Sequence, residues 1–340
     1  MAEFVGVGDL HLSDQTGDGG LSKYVENSDR VILNEVRRGP IKYAQENGID
    51  KLFLYGDVCN GTRMSYQAMR ELVALLNEYP DIEFHVILGN HDMFSELAEN
   101  GHSLELLILF GLPNFRLYTE PTQVKIDRAL VNFLPYPSTA FQPGHLNVFH
   151  NEVYGSKTDS GRVHKKEGAP KSKLIAVGGH LHTAHSIRNT HYSGTLYQTN
   201  FGESLPKYFH HINYRNDTDN EIELIEHDPR FKLHTVVISS RDDLATIPRG
   251  KRDLVKLVIQ DGADVSAADY AGRQNIVIVK NFRSKEDLRA VLTEDLNNAE
   301  ELVIQVDDFF DVWLEALDVE QSMREQIAMT RKRILNKVVK

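Results

Sequence analysis

Cysteine is almost missing from this chain. Cys59 is the one thiol in 340 residues, so no internal disulfide can form and no thiolate-rich zinc or iron–sulfur centre can be built. Any metal must be held by oxygen and nitrogen. Long apolar runs are missing too: none approaches the roughly 18 residues of a membrane span. The opening MAEFVGVGDLHL has neither the basic flank nor the apolar core of a signal peptide. A cytoplasmic protein without a membrane partner is expected. Internal repeats and low-complexity tracts are lacking as well. With 41% hydrophobic and 26% charged residues, the chain reads as one large globular domain plus something extra.

Basic residues are absent from one long stretch. Between Glu294 and Glu320 there are ten acidic residues and no Lys or Arg, nearly the whole net charge of −11. Between Gly155 and Lys173, by contrast, lie six basic residues (Lys157, Arg162, Lys165, Lys166, Lys171, Lys173) and two acidic ones. Phosphate binding depends on the local field. The acidic average therefore does not exclude nucleic acid.

What is present up to about residue 115 is an alternation of short apolar runs and helical patterns, which predicts an α/β fold. Strands are predicted at Phe4–Val7, Lys51–Tyr55 and Phe84–Leu88, with helices at Asp29–Glu46 and Met64–Glu78. Each strand ends in a polar turn: Gly8-Asp9-Leu10-His11, Gly56-Asp57-Val58-Cys59-Asn60 and Gly89-Asn90-His91-Asp92. Ligands of open α/β sheets bind just beyond strand carboxyl ends, so these turns are candidates for one site. From about 115 to 235 shorter strands predict a mixed or antiparallel sheet: Ala129–Leu134, Leu146–His150, Lys173–Val177, Lys207–Tyr214 and Glu221–Glu226. Histidine-bearing turns follow at His150 and at Gly179-His180-Leu181-His182. Strands at Leu254–Gln260 and Ile276–Lys280 and a helix at Lys285–Leu296 predict a small α+β appendage.

Five turns thus supply Asp9, His11, Asp57, Asn90, His91, His150, His180 and His182. A D-x-H or H-x-H pair in an extended turn puts both side chains on one side, so one loop can give two ligands. Carboxylate, imidazole and amide oxygen suit a borderline-hard divalent ion, manganese before zinc, iron or magnesium. Even seven of these eight as ligands are too many for one tetrahedral ion and about right for two bridged ions, the arrangement used in phosphoryl transfer. D-x-H and G-D-x-x-N are weak signals alone. G-N-H-D and G-H-x-H directly after apolar strands are strong ones.

D-x-H, G-D, G-N-H-D, a lone His and G-H-x-H, in that order, resemble the calcineurin-like metallophosphoesterase superfamily. Tyr192-Ser193-Gly194-Thr195 followed by Asn200-Phe201-Gly202-Glu203 is similar to the Y-S-G-S…F-G-E signature of the SbcD nucleases, the meiotic recombination eleven family. The chain length resembles its compact bacteriophage members, for which the location would be the host cytoplasm. The resemblance implies a β-sandwich flanked by helices over 1–232, a small α+β capping domain that contacts DNA over 233–297, and helices over 298–340 that bind an SbcC-type coiled-coil ABC ATPase. It also implies a homodimer. Two divalent ions, manganese or else magnesium, are implied. Asp9, His11 and His182 would hold one, Asn90, His150 and His180 the other, and Asp57 would bridge them. His91, paired with Asp92, would be catalytic, stabilising charge on the scissile phosphate or protonating the leaving oxygen, with no covalent enzyme intermediate. Asn60 and Cys59 depart from the family pattern of Asp or His and Phe. The implied activity is double-strand exonuclease and single-strand endonuclease work in DNA repair, recombination or replication. The alternatives are a cyclic-nucleotide phosphodiesterase of the same superfamily and a non-catalytic DNA-end scaffold.

Overall fold

The computed structural model describes residues 2–13, 21–95, 101–158, 161–165, 174–285, 287, 288 and 291, all within the compact unit Met1–Leu296. The acidic stretch, the helices expected over 298–340, most of the helix expected at Lys285–Leu296 and part of the basic loop lie outside the described residues. In chain order the elements begin β1 (Ala2–Val7), α1 (Ser28–Val36), α2 (Lys42–Asn47), β2 (Lys51–Leu54), α3 (Tyr66–Glu78), β3 (Glu83–Ile87), α4 (Glu105–Leu109) and β4 (Phe115–Tyr118). Then follow β5 (Thr122–Ile126), β6 (Ala129–Leu134), β7 (Leu146–His150), β8 (Ala176–Gly179), β9 (His185–Ile187) and β10 (Thr190–Tyr192). The last are β11 (Lys207–Asn216), β12 (Asp219–His227), β13 (Lys232–Ile238), β14 (Asp253–Gln260), α5 (Ala267–Tyr270) and β15 (Ile276–Phe282).

Two six-stranded sheets, ordered β12-β11-β1-β2-β3-β4 and β5-β6-β7-β8-β10-β9, pack face to face. The period of two along each strand decides which residue meets which layer. Phe4, Phe53, Tyr55 and Ile87 of the first sheet enter the inter-sheet core with Val131, Phe133, Val148 and Val177 of the second. Their neighbours Val5, Val7, Leu52, Leu54 and Val86 face outward, where Ile32 and Leu33 of α1 and Leu72, Leu75 and Leu76 of α3 cover them. Both faces being buried, these strands read as continuous apolar runs. Among the described residues no helix is long and apolar enough to cross a membrane.

Three sequence readings change in detail. The helix expected over Asp29–Glu46 is interrupted by a π-helical turn, Arg37–Ile41, that contains Pro40. Proline has no N–H to give the ladder, and the wider turn accommodates it. The strand expected at Lys173–Val177 lies at Ala176–Gly179, since it is paired with β7 and β10. β11 and β12 leave the second sheet altogether: β11 pairs antiparallel with β1 and β12 extends that edge. A separate three-stranded parallel sheet, β13-β14-β15, has a core of its own formed by Ile238, Ile247, Val255, Leu257 and Ile259.

His210 lies on β11 with no exposed surface, Nδ1 3.0 Å from Tyr55 Oη. Burial, with a small contribution from His191, lowers its pKa to about 3. A depressed histidine stabilises the fold above the ordinary value near 6.5 and loses that contribution as pH falls toward the folded value. We expect the wild type to lose about 2–3 kcal/mol more than His210→Gln between pH 7 and 4.5, because glutamine does not titrate. Urea unfolding of both proteins across that range checks this, and parallel curves would refute it.

Candidate metal centre

The centre forms where the turns after β1, β2, β3, β7 and β8 converge at the carboxyl ends of their strands. Backbone hydrogen bonds zip the first two turns together: Asp9 N–H donates to Gly56 O (3.2 Å), His11 N–H to Asp57 O (2.9 Å) and Leu12 N–H to Val58 O (2.9 Å). Asp9, His11, Asp57 and His180 all have positive φ, at 57°, 47°, 48° and 84°. That conformation is uncommon for residues with a Cβ, and it persists where the surroundings over-determine it. Here it turns four side chains toward one point.

Among the described residues there are three sets whose ligand atoms lie within 4.8 Å of one another in each set: Asp9, His11 and His182; His11, Asp57 and His91; Asp57, His150 and His180. His11 Nε2 and His182 Nε2 are 3.1 Å apart. The amide oxygen of Asn90 lies 3.0 Å from His150 Nε2 and 2.9 Å from His180 Nδ1. Asp57 Oδ2 is 3.2 Å from His150 Nε2 and 4.0 Å from His11 Nε2. The structure therefore brings together all seven residues assigned as ligands, with His91 beside them.

The electrostatics are those of a buried cluster of carboxylates and imidazoles that shift one another. Burial opposes ionisation of Asp57, yet the imidazoles of His150, His91 and His11 hold its pKa well below the ordinary carboxylate range. Burial also opposes a charge on His150, and Asp57 overrides it, raising that pKa to about 9. His11 is lowered well below its usual value, and His180 to about 3, chiefly by burial. Their rings stay neutral and keep a lone pair to offer. Asp9 is raised to about 7 by burial, opposed by His150, and its Oδ2 is buried with no hydrogen-bond partner among the described residues.

These observations test whether the residues fit a metal. His11 Nδ1–H donates to Asn60 Oδ1 (2.8 Å) and His182 Nδ1–H to Glu203 Oε1 (3.0 Å). The two Nε2 atoms, 3.1 Å apart, thereby present their lone pairs beside the buried Oδ2 of Asp9, a set of donors that a cation can use. The all-N,O donor set suits a divalent ion. The residues fit.

Asp92 does not take the place expected for it. Its fully buried carboxylate accepts from the backbone N–H groups of Cys59 (2.8 Å), Gly89 (2.9 Å) and Val58 (3.3 Å) and from Ser103 Oγ (3.3 Å). Among the described residues it makes no hydrogen bond to His91. It clamps the second and third turns together, which is what a carboxylate surrounded by backbone donors does best. Sequence reasoning did not assign a role to Asn60, Glu152 or Glu203. Asn60 was visible in the G-D-x-x-N turn and Glu203 in the F-G-E motif. Glu152, 3.9 Å from His180 Nε2 and paired with His164, carried no signal.

Residues 2–184 match the family of calcineurin-like phosphoesterases, over half of the chain. The chain belongs to that family. This phosphoesterase is also 26% identical, over 227 residues, to exonuclease subunit 1 of Enterobacteria phage T4; the match covers 59% of this chain and 61% of that protein. It spans about three fifths of the curated relative's length. As a metallophosphoesterase the enzyme uses divalent metal ions, and the three clusters above are where the chain can hold them.

Proposed function

We propose that this phosphoesterase is a manganese-dependent DNA nuclease subunit that cleaves phosphodiesters with two ions. The observation that carries the reading is the convergence of Asp9, His11, Asp57, Asn90, His150, His180 and His182 from five turns onto one buried point. Asp9, His11 and His182 would hold one ion, Asn90, His150 and His180 the other, with Asp57 between them. Bound ions would supply Lewis acidity to a phosphoryl oxygen and a nucleophile at neutral pH. The chain's own residues do the rest. His91 is set by its backbone N–H donating to Asp57 Oδ1 (2.9 Å), with its ring edge-on to His11 at 5.0 Å. There it can stabilise developing charge or give a proton to the leaving oxygen. Manganese-dependent cleavage of linear duplex DNA, with a cyclic dinucleotide and a nitrophenyl phosphodiester as rivals, tests the reading. Preference for the cyclic dinucleotide would replace it with the small-molecule alternative, and no cleavage of any of them would leave a DNA-binding scaffold.

The DNA assignment draws support from the phage relative's name and from the basic loop, of which Lys157, Arg162 and Lys165 are described and largely exposed. Replacing Lys165 and Lys166 with Ala should weaken duplex binding at all sequences and reduce the salt slope by roughly 0.9 per lost phosphate contact. An unchanged slope would mean that the loop is merely solvated.

The same reading includes a homodimer and an SbcC-type ATPase partner held by 298–340, with 233–297 as a DNA-contacting cap. Four apolar side chains on and just after α4 support a protein-facing surface, Leu109 being 79% exposed beside Leu106, Ile108 and Phe110. Size-exclusion chromatography with light scattering tests both partners. Truncation after Asn298 should abolish co-elution with the ATPase and leave phosphodiester hydrolysis intact, and Leu109→Asp should shift the free chain to monomer. Co-elution of the truncated chain, or an unchanged mass for the variant, would remove the corresponding claim.

A further inference from the structure

The F-G-E motif has no part in the ligand set, yet its glutamate is enclosed by hydrogen-bond donors. Glu203 is 5% exposed and its side chain not at all. Oε1 accepts from His182 Nδ1–H (3.0 Å), Thr199 Oγ1 and Asn200 Nδ2 (3.3 Å), while Oε2 accepts from the Lys207 ammonium and Thr199 N–H (3.3 Å). Lys207, 4% exposed, is itself fixed by donating to Thr195 Oγ1 (3.0 Å). The same segment is tied to β13 by Gln198, whose Nε2 donates to Glu203 O (2.7 Å) and Leu233 O (2.9 Å) and whose Oε1 accepts from Leu233 N–H (2.9 Å). A carboxylate held on all sides in this way cannot follow a ring that turns; the ring must follow it.

We infer that Glu203, anchored by Lys207, is a positioning residue that fixes His182 as the Nδ1-protonated tautomer and so aims its Nε2 lone pair at the point shared with His11 and Asp9. The inference rests on reading that trio as a metal site. Three facts support it. His182 Nε2 is the atom that faces His11. Its Nδ1 faces a carboxylate, which can only accept, so the proton sits on Nδ1. Finally, the Lys207 ammonium lies against Oε2 and, being tied to Thr195 Oγ1 as well, holds the carboxylate in place from the side away from the ring. The other cluster is built differently: His150 Nδ1 lies 2.6 Å from the backbone carbonyl of Tyr55, a neutral acceptor. Loss of Glu203 should therefore affect one ion and spare the other.

The test uses the full chain and manganese chloride, and needs no DNA, so failure of the wild type to cut DNA is a separate result from failure here. In the metal-free wild type, nitrogen-15 spectra of labelled histidines should show His182, identified by its loss in His182→Asn, protonated at Nδ1. This measurement does not depend on any variant folding. Glu203→Gln alone leaves the Lys207 charge buried, so the double variant Glu203→Gln, Lys207→Met removes both charges together. Calorimetry should show one of two manganese equivalents weakened about 10- to 100-fold and the second within threefold of wild type. The His182 signal should become a mixture of tautomers. A ring that is Nε2-protonated in the wild type, or a double variant that binds both equivalents as the wild type does, would overturn the inference. Loss of both equivalents together would overturn it too, since that is what general structural damage produces.

Discussion

His91→Ala should retain both metal ions and lose phosphodiester hydrolysis by about a hundredfold or more, the usual cost of removing one charge-stabilising or proton-donating group. The expectation follows from where the residue sits. Its backbone N–H, which the substitution keeps, is what holds Asp57 Oδ1. The ring stands edge-on to His11 and makes no hydrogen bond to the seven ligand residues. Asp92, which would have been the natural orienting partner, is occupied by the backbone N–H groups of Val58, Cys59 and Gly89, so Asp92→Asn should act through loop stability rather than through the His91 ring. Metal content and DNA digestion measured on one preparation check both statements. A His91→Ala protein short of one ion would make His91 a ligand, consistent with its closeness to His11 and Asp57. Normal digestion would remove it from the chemistry.

Gly89→Ala should abolish tight metal binding altogether. A Cβ at this position would stand 2.1 Å from Asp57 Oδ1 and 2.3 Å from Asp57 N, and neither can give way. The carboxylate is engaged by His91 N–H, and the backbone nitrogen belongs to a turn in the left-handed region. The third turn must move off the second, which separates Asn90 from Asp57 and breaks the clamp made by Asp92. Overpacking of this kind costs about 1–3 kcal/mol in stability, and the larger effect is on the ligand geometry. Gly61 is the control, since a Cβ there meets nothing within 4 Å. Calorimetry with manganese and thermal denaturation of both variants test the contrast. Two equivalents bound normally by Gly89→Ala would show that the turns adjust independently.

Much of this molecule is legible in the residues themselves. Apolar runs with period two or 3.6, closed by Gly-Asp, Gly-Asn-His-Asp and Gly-His-x-His turns, are local patterns, and the strands β1, β2, β3, β6 and β7 lie within a residue or two of where those patterns put them. The motif order likewise pointed to the phosphoesterase family that residues 2–184 match. Local patterns are silent on what packs against what. That β11 returns across the fold to pair with β1 depends on non-local backbone hydrogen bonds, for which the alternation in Lys207–Tyr214 is equally suited on either sheet. The fate of Asp92 was undecidable for a related reason: a carboxylate next to a histidine in sequence points to the opposite side of an extended turn, and only the neighbouring turn's free N–H groups determine where it is used. Glu203 shows the same limit from the other direction. Twenty-one residues separate it from His182, and its position beside that ring arises only when the turn after β8 and the loop before β11 close on one another. Covalent order determined which groups are available, and three-dimensional packing decided which of them meet, because hydrogen bonds and charges act across a few ångströms of space irrespective of their distance along the chain.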